Sequence, residues 1–209
     1  MRNPLPYASA AARRLKAADP VMKRLIERVG PCALAPKPED TFEALLEAIV
    51  HQQLRTQVAA TIHRRVTALF GDSALVTPEL LLNVSDASLR GAGLSGNKLA
   101  AMRDLAEKCR TGIVPPRKEL ERLPDAEIIA RLSAVRGIGA WTAQMFLIFR
   151  LGRPDVMPSG DFGIRKAFGS LYRKTGRLPP PSAVDKHARL WTPYRTVASW
   201  YLWRSLDAA

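Results

Sequence analysis

Apolar residues recur at helical spacing along most of this chain. Phe42, Leu45, Leu46 and Ile49 stand three or four positions apart, so they share one face of a helix. Similar faces are formed by Val58, Ile62, Val66 and Leu69; by Leu99, Met102, Leu105 and Cys109; by Ile164, Phe168 and Leu171; and by Val197, Trp200, Tyr201 and Arg204. No segment alternates apolar and polar residues in the way that predicts a strand. The pattern predicts an all-α protein of about ten short helices with short loops.

Two glycines close together interrupt this pattern at residues 132–143, which read Leu-Ser-Ala-Val-Arg-Gly-Ile-Gly-Ala-Trp-Thr-Ala. Gly137 and Gly139 permit a turn that is too tight for side chains, and a second apolar helix begins directly after it. Backbone amides at the start of such a helix form an anion site. Residues 141–151 are apolar on every face, which predicts a buried helix.

The charge of the chain favours a polyanionic partner. There are 32 Lys and Arg residues against 19 Asp and Glu, giving a net charge of +13, and 47% of the residues are hydrophobic, so we expect a folded chain with a core. The basic residues are spread along the sequence, which favours a folded binding surface over a basic tail. The partner is then nucleic acid or an anionic membrane; the alternative is a basic protein whose charge only keeps it soluble.

The N-terminal residues and the cysteine count argue against export and against a metal cluster. No apolar run is long enough to span a bilayer, and Pro4 and Pro6 stand where a signal peptide needs an apolar helix, so we expect a cytosolic (cytoplasmic) protein. Cys32 and Cys109 are the only cysteines, too few for a four-cysteine cluster or zinc ribbon. We expect both to be reduced core thiols.

Five segments, in order and at compatible spacing, together resemble the helix-hairpin-helix DNA glycosylase superfamily. Within it, the chain is most similar to the 3-methyladenine DNA glycosylase II (AlkA-type) branch. The segments are Ile49–Leu54, Gly93–Lys98, Gly137–Ala143, Pro158–Asp161 and the stretch Pro193–Thr196 followed by Trp203. The resemblance covers most of the chain from about residue 40 onward. It implies a two-lobed helical fold with a cleft between the lobes, and double-stranded DNA as the partner of a monomeric enzyme.

The resemblance implies that Asp161 is the catalytic aspartate. Breaking the bond between sugar and base builds positive charge on the deoxyribose, which a nearby carboxylate stabilises. The same carboxylate orients or activates the attacking water. From the residues alone, Asp161 also fits an N-cap at the start of a helix.

Trp141 occupies the position at which strand-cutting members of the superfamily carry a Schiff-base lysine. The resemblance therefore implies a monofunctional DNA-3-methyladenine glycosylase, an N-glycosyl hydrolase that excises 3-methyladenine and 7-methylguanine in base excision repair and leaves an abasic site. It implies a substrate pocket of Trp141, Trp203 and Met145, in which the indoles attract a cationic base. Met145 departs from the aromatic residue that relatives often carry. The alternative is that both tryptophans are ordinary core residues.

A base inside a duplex must be flipped out, and a side chain must fill the gap. By resemblance, the DNA-binding wedge comes from Gln52, Gln53, Leu54 and Arg55, with Gln53 at the place of the intercalating leucine of the AlkA-type enzyme. For Gln52 the alternative is a helix-capping role. His51 is interpreted as solvated or structural.

The hairpin is implied to hold a phosphate through the amides of Gly137, Gly139 and Trp141. In the family, backbone carbonyls of the hairpin also bind a monovalent cation, here Na⁺ or K⁺ at the carbonyls of Ser133, Val135 and Ile138; no other cofactor is expected. Arg136, Arg165 and Lys166 are either further phosphate contacts or solvated charges. Arg195 is expected to tie the last helix to the body.

The two lobes are predicted as residues 1–40 with 132–209, holding the termini, hairpin and Asp161, and residues 41–131, carrying the wedge loop. Three other functions compete with the alkylpurine glycosylase. The main alternative among enzymes is a relative acting on oxidised or mismatched bases. The absence of the lysine and of the cluster cysteines argues against its endonuclease III-like and adenine-mismatch branches. A non-catalytic helix-hairpin-helix DNA-binding module needs neither Asp161 nor the tryptophans. A membrane-surface protein would need a long basic amphipathic helix, which the sequence lacks.

Overall fold

A computed structural model describes residues 4–71, 76–173 and 177–207. Within these ranges the regular structure is helical and no strand forms, which confirms the predicted all-α class. No helix in the described ranges combines the length and the apolar character needed to cross a membrane.

The helices follow one another with short connections. In chain order they are α1 (Ala8–Ala18), α2 (Pro20–Val29), α3 (Thr41–His51), α4 (Thr56–Ala68), α5 (Pro78–Asn83), α6 (Asp86–Gly91), α7 (Gly96–Arg110), α8 (Arg117–Leu120), α9 (Asp125–Ser133), α10 (Ala140–Phe146), α11 (Phe162–Phe168), α12 (Pro181–Ala188) and α13 (Arg195–Arg204). Two π-helical turns, Leu147–Leu151 and Gly169–Arg173, and a 3₁₀ turn, Arg189–Trp191, extend α10, α11 and α12.

Contacts divide the chain into two units. The terminal unit consists of Met1–Lys37 and Leu147–Ala209, and the central unit of Pro38–Phe146. This division differs from the predicted lobes at the hairpin, which groups with the central unit because α10 packs against α9 and α3. The described segments near both ends of the chain belong to the terminal unit, in which α1 and α2 pack against α13. The cleft between lobes stays a prediction.

Asp19 joins the N-terminal helices of the terminal unit to its C-terminal ones. Its Oδ1 caps α2 by accepting from the backbone amides of residues 21 and 22. Its Oδ2 accepts from Tyr172 Oη at 2.8 Å and from Trp191 Nε1 at 2.9 Å, and lies 3.0 Å from His187 Nε2. Burial leaves Asp19 only 2% exposed and works to raise its pKa, but these hydrogen bonds together hold the pKa below its usual value.

The core of the central unit follows the predicted pattern in α3 and departs from it in α4. Each apolar residue predicted on the α3 face is buried. In α4 the packed face is Ala59, Ile62 and Val66, whereas Val58 is 47% exposed. The prediction at Val58 was wrong because the smaller Ala59, one position later, is the residue that is buried in the first turn.

Composition predicts that segment 141–151 is buried on every face, and the structure contradicts this prediction. Ala143, Phe146, Leu147 and Ile148 are buried, but Trp141 is 50% exposed. Trp141 stands in the first turn of α10, directly after an exposed hairpin, so one side of that turn faces solvent. The chain then passes into a π-helical turn, which shifts the face that the following residues present.

The two cysteines are free thiols, Cys32 buried and Cys109 partly buried. Burial raises the pKa of both thiols, that of Cys109 to about 12. Neither has the thiolate character of a reactive cysteine.

Candidate functional site

Asp161 lies at the junction of a tight loop and α11. The loop is closed by hydrogen bonds from Ser159 N to Met157 O and from Asp161 N to Pro158 O, both 2.9 Å. Asp161 is the N-cap of α11, and its Oδ1 accepts from Ile164 N at 2.9 Å. The capping interpretation of this residue is therefore correct, and it orients the carboxylate without consuming its charge.

Trp203 fixes the same carboxylate from a second helix. The indole Nε1 of Trp203, on α13, donates to Asp161 Oδ1 at 2.9 Å. Its ring stacks on Phe149, with 5.7 Å between ring centroids and 30° between ring planes. Two donors on one oxygen, one from the backbone and one from a stacked indole, hold the carboxylate in one orientation.

Gly163 provides the space in which this arrangement fits. A Cβ built at Gly163 would lie 3.1 Å from Asp161 Oδ1 and 3.2 Å from Trp203 Cδ1. A side chain here would press on both partners of the hydrogen bond. Glycine within a helix is otherwise unfavourable, so its presence in the first turn of α11 fits this packing requirement.

Sequence reasoning did not identify three residues of this site: Phe149, Phe162 and Gly163. Phe162 follows Asp161 directly and is 67% exposed, which is unusual for a large apolar side chain. The sequence could have indicated Phe162, because it is an aromatic residue at the first helical position after a candidate catalytic acid. It could not have indicated the stacking of Phe149 on Trp203, because that contact depends on the tertiary fold.

The basic residues near Asp161 have different surroundings. Arg165 Nε donates to Pro179 O at 2.7 Å, so part of this guanidinium holds the loop before α12. Lys166 is exposed. Arg195 forms a bidentate ion pair with Asp155, at 2.8 and 2.9 Å, which attaches the start of α13 to the loop after the π-helical turn, as expected.

The hairpin of the central unit connects α9 to α10. Gly137 adopts φ +77°, a left-handed conformation that favours glycine, and Ile138 N donates to Val135 O at 3.0 Å to close the turn. Gly137, Gly139 and Trp141 are exposed around the start of α10, while Val135 and Ile138 anchor the turn in the core. The exposed backbone at this turn suits an anion.

Asp104 of α7 supports the hairpin from the side. Its Oδ2 accepts from Arg136 N at 2.7 Å and from Lys108 Nζ at 2.6 Å. Desolvation works to raise the pKa of Asp104, but the Arg136 amide and the Lys108 ammonium hold it below its usual value. The side chain of Arg136 is exposed.

The predicted wedge loop, Gln52–Arg55, joins α3 to α4. Gln53, Leu54 and Arg55 are exposed, and Gln53 has φ +56°, the one positive φ among the described non-glycine residues. Gln52 Nε2 instead donates to Gly137 O at 2.9 Å. His51 is partly buried, and its ring meets that of His63 edge-on at 6.4 Å, in line with a structural role.

The carbonyls predicted to hold a monovalent cation lie in the turn between α9 and α10. Val135 O already accepts from Ile138 N. The hydroxyl oxygen of Ser133 is buried and has no hydrogen-bond partner among the described residues. Carbonyl and hydroxyl oxygens are ligands that suit a hard cation, so the residues present fit such an ion.

The residues predicted for the substrate pocket belong to different units, Trp203 to the terminal unit and Trp141 and Met145 to the central unit. Their common pocket stays a prediction. Among the described residues, no group of histidine, cysteine and carboxylate side chains is arranged to hold a metal ion.

Comparison with known proteins relates this site to a family. The model of the HhH-GPD superfamily base excision DNA repair proteins matches residues 46–193, a range that includes the wedge loop, the hairpin and Asp161. The chain belongs to the HhH-GPD superfamily. It is 36% identical over 198 residues to DNA-3-methyladenine glycosylase 1 of Schizosaccharomyces pombe, covering 93% of this chain and 86% of that protein.

Solved structures agree with this assignment. A 3-methyladenine DNA glycosylase of S. pombe in complex with abasic DNA superposes with a TM-score of 0.82 at 34% identity, covering 95% of this chain and 97% of that one. A DNA-3-methyladenine glycosidase from Bacillus halodurans superposes with a TM-score of 0.87 at 38% identity, covering 95% of this chain and 90% of that one. The family assignment made from the sequence motifs is confirmed.

Proposed function

We propose that this HhH-GPD protein is a monofunctional DNA glycosylase that excises alkylated purines, 3-methyladenine and 7-methylguanine, from double-stranded DNA and leaves an abasic site for base excision repair. The observation that carries the proposal is the Asp161 carboxylate, held at the start of α11 by Ile164 N and Trp203 Nε1. The names of the relatives point to the same chemistry.

The reaction needs an anion rather than a strong nucleophile in the protein. As the bond between C1′ of the sugar and the purine nitrogen breaks, its electrons move to the base and positive charge develops on the sugar. The Asp161 carboxylate stabilises that charge. Water then adds to C1′, and its proton leaves to Asp161 or to solvent.

The substrate supplies much of the driving force. A purine alkylated at a ring nitrogen is cationic, so it leaves as a neutral base without a protein acid. Aromatic side chains attract such a cation with about 0.5–2 kcal/mol. We propose Trp141, Trp203 and Met145 as contacts of the base, and we add Phe162 because it is exposed and follows Asp161 directly. Trp141 offers no amine for a Schiff base, so the strand stays intact.

Binding of DNA is proposed to rest on the hairpin and the wedge loop. The exposed backbone at Gly137, Gly139 and Trp141 would hold a phosphate, and Arg136 would add a further contact. A monovalent cation on the carbonyls of Ser133, Val135 and Ile138 would brace this turn. We further propose that the enzyme acts as a monomer in the cytoplasm.

Free-base release tests this function directly. The protein is incubated with methylated duplex DNA, the released bases are separated by chromatography, and the DNA is examined for breaks before and after alkali. We expect free methylated purines, with strand breaks only after alkali. Tight duplex binding without any release would contradict the proposal and favour a non-catalytic DNA-binding module; breaks without alkali would contradict the monofunctional assignment.

A further inference from the structure

Hydrogen bonds connect three segments of the central unit: the wedge loop Gln52–Arg55, helix α7, and the hairpin between α9 and α10. Each of these hydrogen bonds joins residues far apart in sequence. One joins the wedge loop to the hairpin, one joins α7 to the end of α3 just before the wedge loop, and one joins α7 to the hairpin.

The two adjacent glutamines of the wedge loop have different environments. Gln53 is exposed and its backbone is left-handed. Gln52 Nε2 donates to Gly137 O at 2.9 Å across 85 residues of sequence, and a Cβ on Gly137 would lie 3.9 Å from Gln52 Oε1. The amide of Gln52 therefore lies against the hairpin backbone, while Gln53 is presented outward.

Helix α7 braces both partners of this bond. Lys98 Nζ, in its first turn, donates to Val50 O at 2.6 Å, at the end of α3 just before the wedge loop. One to two turns later, Asp104 Oδ2 accepts from Arg136 N, the residue before Gly137. The Gln52 bond thus closes a ring of contacts that runs from α3 through α7 to the hairpin.

We propose that Gln52 is a positioning residue that ties the wedge loop to the phosphate-binding hairpin, so that Gln53 enters the gap left by a flipped base at a set distance from the gripped phosphate. This inference rests on the proposed function. The physical reason is preorganisation: the loop carries three exposed residues in a row, and each would lose conformational freedom on binding DNA. A loop already fixed at its base loses less.

The proposal predicts a selective loss. Gln52→Met keeps the length of the side chain but removes the donor. We expect its affinity for a duplex with an abasic site to fall about threefold to tenfold, and its affinity for the intact duplex of the same sequence to change by less than about twofold. A 2-aminopurine placed opposite the abasic site reports wedge insertion, and its fluorescence change should shrink in parallel.

Two further variants separate positioning from general stability. Tyr7→Phe removes a similar hydrogen bond to a glycine carbonyl, Tyr7 Oη to Gly152 O at 2.7 Å, in the terminal unit. It should leave the ratio of the two affinities unchanged. Gln52→Lys restores a donor of sufficient length, and it should recover part of the ratio although its added charge strengthens binding to both duplexes.

Equal losses on both duplexes in Gln52→Met, or an unchanged ratio, would overturn the proposal. So would a ratio in Gln52→Lys no better than in Gln52→Met. These measurements need no excision, so they are separate from the proposed function. Wild-type protein that prefers abasic DNA but releases no methylated base would refute the glycosylase alone, whereas full release with an unaltered Gln52→Met ratio would refute the Gln52 role alone.

Discussion

Replacing Trp203 by phenylalanine isolates the hydrogen bond that orients the candidate catalytic carboxylate. The indole Nε1 donates to Asp161 Oδ1 at 2.9 Å, while the ring face stacks on Phe149. Trp203→Phe keeps an aromatic ring for the stack and removes the donor. Asp161 Oδ1 would still accept from Ile164 N as the N-cap of α11, but the second constraint on its orientation would be lost.

The size of the effect follows from the kind of bond. A hydrogen bond to a charged group contributes about 1.5–3 kcal/mol. If most of that free energy serves to hold the carboxylate where charge develops, kcat falls about tenfold to hundredfold. The weaker cation–π attraction of a phenyl ring raises KM as well, but by less, because this attraction is worth about 0.5–2 kcal/mol in total.

The assay is single-turnover excision from a duplex containing one alkylated purine, with binding to the same duplex measured separately. Trp200→Phe is the matched control, since Trp200 lies on the same helix and packs edge-on against Tyr201 at 4.9 Å. We expect wild-type kcat in the control. A wild-type kcat in Trp203→Phe, or an equal loss in both variants, would refute the reasoning.

Three other perturbations test separate parts of the account. Gly163→Ala should lower excision about tenfold or more with little change in duplex binding, because its Cβ would press on the Trp203 indole and the acceptor oxygen beside it. Gln53→Ala should weaken binding to abasic-site DNA more than binding to intact duplex, measured by fluorescence anisotropy. Asp19→Asn should lower the free energy of unfolding at pH 7 by about 3 kcal/mol, measured with urea, because it removes a buried carboxylate from its donors.

The Asp19 effect carries a pH signature. The pKa of this carboxyl is lower in the folded protein than in the unfolded chain, so its stabilisation is complete above the unfolded pKa of about 3.9 and is lost as pH falls through the folded value. The difference between wild type and Asp19→Asn should therefore shrink in acid. A constant difference from pH 7 to pH 3 would contradict the Asp19 prediction. Gly91→Ala is the control for Gly163→Ala because its Cβ meets nothing within 4 Å, and equal slowing of excision in both variants would contradict the Gly163 prediction. Equal losses on both duplexes in Gln53→Ala would contradict the wedge role of Gln53.

Apolar spacing predicted the helices that pack with large aliphatic side chains, and it failed where a small residue makes the contact. In α3 the spacing of leucine and isoleucine identifies the buried face directly. In α4 the buried residue of the first turn is Ala59, which does not stand out from its neighbours in sequence. The exposed Trp141 was missed for a related reason, since composition does not reveal that the turn before α10 faces solvent.

The motifs located Asp161, because an aspartate after a tight loop is a local signal. The contact that orients it joins residues 42 positions apart and depends on how α13 packs against α11. The two wedge glutamines show the same limit. The resemblance assigns the intercalating position to Gln53, but the left-handed backbone at Gln53 and the bond from Gln52 to the hairpin depend on the fold and have no local signal in the sequence.

The most direct test of the central claim compares wild type with Asp161→Asn. Asparagine keeps a side-chain oxygen that caps α11, so the fold and the DNA affinity should survive while the negative charge is lost. We expect single-turnover release of methylated purine from a duplex to fall by at least about a hundredfold with unchanged duplex binding. Release at the wild-type rate by Asp161→Asn would contradict the account.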